Sequence, residues 1–267
     1  LLPDIFGKSI ALYDLMIGIG VFLMFIYIAN RFDKTDGFTR KQTNLLLILV
    51  GISLASALLF SYVFAGIFHS IKEGELTFGS ITFFGGLIGG ISSFLILLKY
   101  FYKDDNKDTK KIMNTIITGV VLAHVFGRIG CFFAGCCYGI PTDSFIGVYF
   151  PTNHVSHTLY GDTSIFPTQL FEAFFLLVLF VSLNKIKKLK NFEIETYMIG
   201  YGIWRILIEF IRGDDRGNLF PFITTQYNTY PTPSQFISVL MIIFGVYLLG
   251  KMMKQKRKRL VSLLKKY

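Results

Sequence analysis

Charge is scarce in this chain. Only 16% of its 267 residues are Asp, Glu, Lys or Arg, whereas soluble globular proteins carry roughly 25%. That deficit excludes an ordinary soluble domain. Cysteine is scarce too: there are three, all in one cluster at Cys131, Cys136 and Cys137, which is no disulfide framework. Long-period repeats and low-complexity tracts are absent, and no cleavable signal peptide or separate soluble domain is expected. What the chain has instead is apolar. Hydrophobic residues make up 52% and aromatics 16%, with 29 Phe, and the mean hydropathy is +0.54. A chain of this length suits roughly six to eight bilayer spans of about 20 residues with short connections.

Seven apolar segments stand out, near 9–30, 43–69, 79–101, 112–131, 165–184, 195–211 and 233–250. The expected fold is therefore all-α, a single polytopic membrane domain over 1–267 with about seven transmembrane helices and a basic tail at 251–267. Lys and Arg decide its orientation, because cytoplasmic loops carry them in excess. Connections 31–42, 102–111 and 185–190 hold four each, and the tail from Lys251 holds eight. The alternate connections hold Lys72 alone, then none over 132–164, then Arg212 and Arg216. This alternation places the N-terminus outside and the C-terminus in the cytoplasm. It also supports the sixth span despite Arg205 and Glu209 within it. The net charge of +10 then reports basic loops and an anchoring tail on anionic lipid rather than a nucleic-acid partner. The connections 132–164 and 212–232 are too long for tight turns and suit a lid or a substrate platform.

Ionisable side chains inside spans are the best pointers to function. Each costs roughly 2.5–3.5 kcal/mol at a helix centre and needs a partner or a wet cavity. Arg205, Glu209 and Arg212 stand at i, i+4 and i+7 in YGIWRILIEFIR, one face of a helix. An internal Arg–Glu pair that neutralises itself is one reading. A polar face toward an anionic ligand is the other, and the second Arg favours it. His124 and Arg128 lie four apart near the outer end of the fourth span, in HVFGRIGCFFAGCCYG. Gly127, Gly130, Gly135 and Gly139 permit close approach or irregular turns. Irregular backbone at membrane depth lines cavities, so Arg128 beside a glycine-rich re-entrant segment suggests a phosphate cradle. Packing through small residues is the alternative.

The cysteines invite a metal reading, but the spacing C-x4-C-C is poor for a tetrahedral site. Small buried residues are preferred, with a reactive thiol or an outer-face disulfide next; no metal and no cofactor are expected. His69, His154 and His157 read as solvated or structural. Gly85–Gly86 and Gly89–Gly90 in the third span admit a helix or a headgroup. Gln169, Glu172 and Gln235 open the fifth and seventh spans, where interfacial capping is the plain reading, yet all lie on the side of Arg128 and Arg212. Together these residues describe a cationic, glycine-walled cavity open to lipid near the outer leaflet, suited to a phospholipid headgroup.

At these residues the sequence resembles the prolipoprotein diacylglyceryl transferases of bacterial inner membranes. GRIGCFFAGCCYG (127–139) is similar to the family signature G-R-x-G-N-F-x-N-G-E-x-x-G. Tyr201, Gly202, Arg205, Glu209 and Arg212 match Y-G-x-x-R-x-x-x-E-x-x-R. FPTQLFE (166–172) resembles H-P-S-Q-L-Y-E, PSQFIS (233–238) resembles the seventh-span G-Q-x-L-S, FFGGLIGG (83–90) resembles H-G-G-x-x-G, and Tyr13 in ALYDLM looks like the Tyr of W-Y-G-L-M. The departures are Phe84 and Phe166 where the family has His, and Cys131, Ala134 and Cys136 where it has Asn, Asn and Glu.

The resemblance implies transfer of the diacylglyceryl group of phosphatidylglycerol to the thiol of a prolipoprotein lipobox cysteine, in the bacterial plasma membrane. The thioether forms at the outer leaflet and glycerol phosphate leaves. It implies catalytic roles for Arg128, Arg205 and Glu209. With Phe84 where the family has His, the candidate base is His124, the intramembrane histidine that remains, four residues before Arg128. Headgroup or acceptor contacts would fall to Tyr13, Gly85, Gly86, Gly127, Gly130, Gly135, Gln169, Tyr201, Arg212 and Gln235. A phospholipid-using transferase with another acceptor, such as a surface glycan, and a non-enzymatic lipid-binding or transport protein are the alternatives.

Overall fold

The computed structural model describes residues 12–73, 83–103, 108–152, 154–214 and 230–264. The first residues of the 9–30 segment, Lys107, Arg216 and most of the 212–232 connection lie outside them, as do the side chains of His69, Lys72 and Phe84.

The described residues are helical with irregular connections: α1 (Leu12–Arg31), α2 (Arg40–Glu73), α3 (Phe83–Phe101), α4 (Thr109–Ala134), α5 (Val155–Tyr160), α6 (Thr168–Lys185), α7 (Glu193–Glu209) and α8 (Pro233–Leu264). Five stretches are long and apolar enough to cross a membrane: 12–36, 40–67, 109–134, 168–185 and 233–257. The apolar stretch Gly85–Phe101 of α3 is shorter, and α7 has 17 residues with Arg205 and Glu209 inside it. The chain is a polytopic membrane protein. Leu58, Phe22, Ile243 and Phe174 present 60% or more of their surface outward, which water would penalise and lipid does not.

The helix boundaries have local causes. α1 runs into a π-turn at Phe32–Asp36 and stops where Gly37 takes φ 75° and returns its N–H to the Phe32 carbonyl. α2 begins on a reciprocal cap. The Thr39 N–H donates to Gln42 Oε1 at 2.9 Å, and the Gln42 N–H donates to Thr39 Oγ1 at 3.3 Å. α8 repeats the device in Thr232-Pro-Ser-Gln235, with the first-turn position held by Pro233. The helix continues past the seventh apolar segment to Leu264. Lys256 of its basic stretch lies 4.4 Å from the centroid of the Phe192 ring, an added tether besides lipid.

Two compact units divide the chain: Phe25–Thr109, and Leu1–Met24 with Lys110–Tyr267. In the first, α2 and α3 form a hairpin. A side chain at Gly90 would meet the Ala57 Cβ at 3.1 Å, and one at Gly86 would meet the Ala57 carbonyl at 3.4 Å. This is close packing through small residues. In the second, α4, α6 and α7 enclose a core of Val121, Val125, Ala173, Leu176, Leu179 and Leu183, with Tyr197 and Tyr201 against it. At its basic end, Lys110 pairs with Glu195, and the Asn114 side-chain oxygen accepts the Ile194 N–H at 3.2 Å. Connection 135–167 packs on itself. Tyr138, Phe150 and Ile165 make a small core of their own, and single antiparallel bridges join Pro141 and Val148 to Ile165 and Gly139 to Arg212.

Candidate active site

Most of the residues singled out from sequence sit in the unit made of 12–24 and 110–264; Gly85 and Gly86 belong to the α2–α3 hairpin. In that larger unit, three arginines are held inside the protein. Each faces a carboxylate. Arg128 Nη2 lies 3.0 Å from Glu172 Oε1, and Arg205 Nη2 lies 2.8 Å from Glu209 Oε2. Arg212 grips Asp214 with two bonds of 2.7 Å. The expectation of a surplus positive face on one helix is thereby corrected. α7 ends at Glu209, so Arg212 lies past the helix and turns to a carboxylate two residues on. Arg205 and Glu209 do form the i, i+4 pair.

Neutralisation does not exhaust the arginines. Arg128 Nε, Arg205 Nη1 and Arg212 Nη1 are buried N–H groups with no protein acceptor. Glu172 Oε2 and Gln169 Oε1 are buried acceptors with no protein donor. Buried polar groups are nearly always satisfied, so several leftover donors and acceptors in one region call for a polar ligand. The groups are electrostatic neighbours: Glu172 feels both Arg128 and Arg205, and Cys137 feels both Arg212 and Arg128.

Glu172 is the residue whose importance sequence reasoning underrated. It is fully buried, pairs with Arg128 and accepts the Tyr201 hydroxyl at 2.7 Å. Tyr201 therefore positions Glu172 in the first instance. Gln169 is likewise fully buried rather than an interfacial cap, and its Nε2 donates to the Cys136 carbonyl at 2.6 Å. Gln235, by contrast, is a cap, with a weaker bond of 3.4 Å to the Ile206 carbonyl. Ser234 and Thr232 serve the α7 pair: Arg205 Nη2 donates to Ser234 Oγ at 3.2 Å, and Thr232 Oγ1 donates to Glu209 Oε1 at 2.6 Å. The Thr-Pro-Ser-Gln cap thus sets the register in which α8 meets Arg205 and Glu209. His124 meets Tyr201 edge-on, ring centroids 5.3 Å apart.

The re-entrant reading of 127–139 also needs correction. α4 stays helical through Gly127 and Gly130 to Ala134. Gly127 faces open space, while a side chain at Gly130 would meet the Tyr13 carbonyl at 3.2 Å and its ring at 3.3 Å. Gly130 is thus where Tyr13 packs on α4. Irregular backbone begins only at Gly135, with φ 66°, and Cys137, with φ 62°. A side chain at Gly135 would also lie 2.5 Å from the His154 ring. Gly135→Ala is expected to cost about 1–2 kcal/mol from the left-handed backbone alone and more from His154. Thermal unfolding of the purified variant in detergent checks this, and a midpoint equal to wild type would contradict it.

That turn gathers the cysteines. The sulfurs of Cys131, Cys136 and Cys137 lie within 4.8 Å of one another, all three unbridged. The C-x4-C-C spacing, poor for a tetrahedral site in sequence, nevertheless brings the three sulfurs together at a turn where Cys137 takes a left-handed backbone. The Cys136 thiol donates to the Cys131 carbonyl at 3.7 Å. The neighbouring Cys131 and Cys136 thiols, and after them Arg212 and Arg128, favour the thiolate form of Cys137. Of the other histidines, His154 packs against Gly135 and Phe150. His157 Nδ1 lies 3.1 Å from the Phe150 carbonyl. Both are structural, as expected.

Known proteins match this chain along nearly its whole length. The family model described as prolipoprotein diacylglyceryl transferase matches residues 2–250. A phosphatidylglycerol–prolipoprotein diacylglyceryl transferase of Clostridium tetani is 32% identical over 252 residues, covering 91% of this chain and 94% of that protein. The transferase 2 of the same description from Clostridium perfringens is 32% identical over 259 residues, covering 92% and 93%. One from Dehalococcoides mccartyi is 29% identical over 211 residues, covering 76% and 78%. On this coverage and identity, the chain belongs to the prolipoprotein diacylglyceryl transferase family.

Proposed function

We infer that this protein transfers the diacylglyceryl group of phosphatidylglycerol to the thiol of a prolipoprotein cysteine. The family membership supports the reaction. The observation that carries it to particular residues is the trio of arginines, each neutralised by a carboxylate yet keeping a buried N–H for a ligand. A phosphoglycerol headgroup supplies what the site lacks: phosphate oxygens for the three N–H donors, and glycerol hydroxyls for Glu172 Oε2 and Gln169 Oε1.

In the reaction the acceptor sulfur attacks the glycerol carbon that carries the phosphate. The S–C bond forms, the C–O bond to phosphate breaks, and glycerol phosphate leaves with the electron pair. The charge that develops on the leaving phosphate falls to Arg128 and Arg205, with Glu209 and Glu172 holding the guanidiniums in place. Arg212 and Tyr13 are proposed headgroup contacts. The thiol must lose its proton, because the thiolate is the nucleophile. His124, one turn before Arg128 on α4, is the candidate acceptor. The basic connections and tail support a cytoplasmic C-terminus in the plasma membrane, with the chemistry at the outer leaflet.

Complementation tests the reading. A strain depleted of its own transferase should regain growth and lipidation of a reporter prolipoprotein when it carries this chain. Arg205→Ala should abolish both with the protein still present in the membrane. A wild-type chain that accumulates but never lipidates the reporter would remove the prolipoprotein acceptor. An unchanged rate in His124→Asn would remove His124 as the base.

A further inference from the structure

The site holds a group of three thiols for which the transfer described above has no role. Three observations bear on it. The Cys131, Cys136 and Cys137 sulfurs lie within 4.8 Å of one another. A tetrahedral zinc with bonds of about 2.3 Å needs sulfurs about 3.8 Å apart, so the cluster closes onto an ion with a shift of roughly 0.6 Å per sulfur at most. The backbone carrying them is held from outside: the Cys136 carbonyl accepts from Gln169 and the Cys137 carbonyl accepts from Thr168 Oγ1 at 2.7 Å. Such outer bonds are what keep ligands aimed at a metal. Cys137 also keeps φ 62°, a conformation that costs a non-glycine residue on the order of 1–3 kcal/mol and persists mainly at functional sites. Finally, Arg128 and Arg212 both act on Cys137. Three thiolates around Zn2+ leave one negative charge, which those guanidiniums offset.

We propose that Cys131, Cys136 and Cys137 bind one Zn2+ as three thiolates, and that the prolipoprotein cysteine enters as the fourth ligand and is alkylated there. This rests on the transferase reading. A three-ligand zinc site with an open position is the catalytic form of the metal. Zinc binding displaces three thiol protons to solvent. Coordination lowers the pKa of the incoming thiol, which passes its proton to His124, the base proposed above, so it meets the phospholipid as a thiolate at neutral pH. Its sulfur forms the S–C bond, the C–O bond to phosphate breaks, and the leaving phosphate is caught by the neighbouring arginines. The thioether product carries no charge, binds zinc weakly and departs. No electron is exchanged.

The test uses the full-length protein purified in detergent, reduced, stripped with a chelator and titrated with Cd2+ alone. One equivalent per chain should produce a thiolate-to-cadmium charge-transfer band, and Zn2+ alone should abolish it. Cys131→Ser, Cys136→Ser and Cys137→Ser should each weaken cadmium binding at least about tenfold. Absence of the band in wild type, or its retention in all three variants, overturns the proposal, and the wild-type titration decides even where a variant misfolds. Stripped wild type should then lose at least about tenfold in thioether formation with phosphatidylglycerol and a lipobox peptide, and one equivalent of Zn2+ should restore it. Full activity in the stripped protein refutes the metal's part while leaving the transferase reading intact. No thioether with or without zinc refutes the transferase reading and, with it, the fourth-ligand assignment, while the cadmium band still reports whether the thiols bind metal.

Discussion

Arg128→Lys should leave the protein at wild-type levels in the membrane and lower diacylglyceryl transfer by roughly 10²–10³-fold, the scale of losing one preorganised donor to a developing oxyanion. Lysine keeps the charge that Glu172 requires, so the buried pair, 3.0 Å apart in wild type, stays neutral. It loses the planar guanidinium, which bonds Glu172 through one nitrogen while Nε stays available to a ligand. Rates with purified protein, phosphatidylglycerol vesicles and a lipobox peptide measure the effect. A loss below about fivefold would mean that Arg128 serves packing rather than the phosphate.

Glu172→Ala should act on stability first. Glu172 is fully buried and satisfies both Arg128 and the Tyr201 hydroxyl. Removing it leaves a guanidinium uncompensated inside the protein, at about 3–5 kcal/mol, and the variant should unfold at markedly lower temperature in detergent. The stability loss separates from the catalytic loss in a double replacement. Arg128→Met with Glu172→Leu removes both charges at once, and should be more stable than either single replacement while remaining inactive. A double variant no more stable than Glu172→Ala would show that the pair is not the coupled unit its geometry indicates.

The helices were largely legible in the sequence, because a bilayer demands long apolar runs and lets charge into few of them. All seven apolar segments correspond to helices, within a few residues at most ends. The clearest difference is at α8, which continues to Leu264 because KMMKQKRKR lacks a helix breaker. The candidate site was legible where a charge violates hydropathy, at Arg128, Arg205 and Glu209. It was less legible at Glu172 and Gln169. Both sit in the first turns of α6, where polar residues ordinarily meet water, and only the fold reveals that Gln169 bonds the Cys136 carbonyl and that Arg128 and Tyr201 meet Glu172. The charge balance was not legible, because Asp214, the partner of Arg212, lies beyond the helical register that joins Arg205 to Glu209. The cysteine cluster was hidden by the local backbone: the three sulfurs meet at a turn in which Cys137 is left-handed, and cysteine gives no advance sign of that conformation.

The most direct test of the transferase account is mass spectrometry of a lipobox peptide incubated with purified, reduced, zinc-supplied protein and phosphatidylglycerol. The account predicts a peptide carrying one diacylglyceryl group on its cysteine sulfur and one equivalent of glycerol phosphate released, with both products lost in Arg205→Ala. A wild-type protein that leaves the peptide thiol unmodified, or that releases glycerol phosphate without forming the thioether, would contradict it.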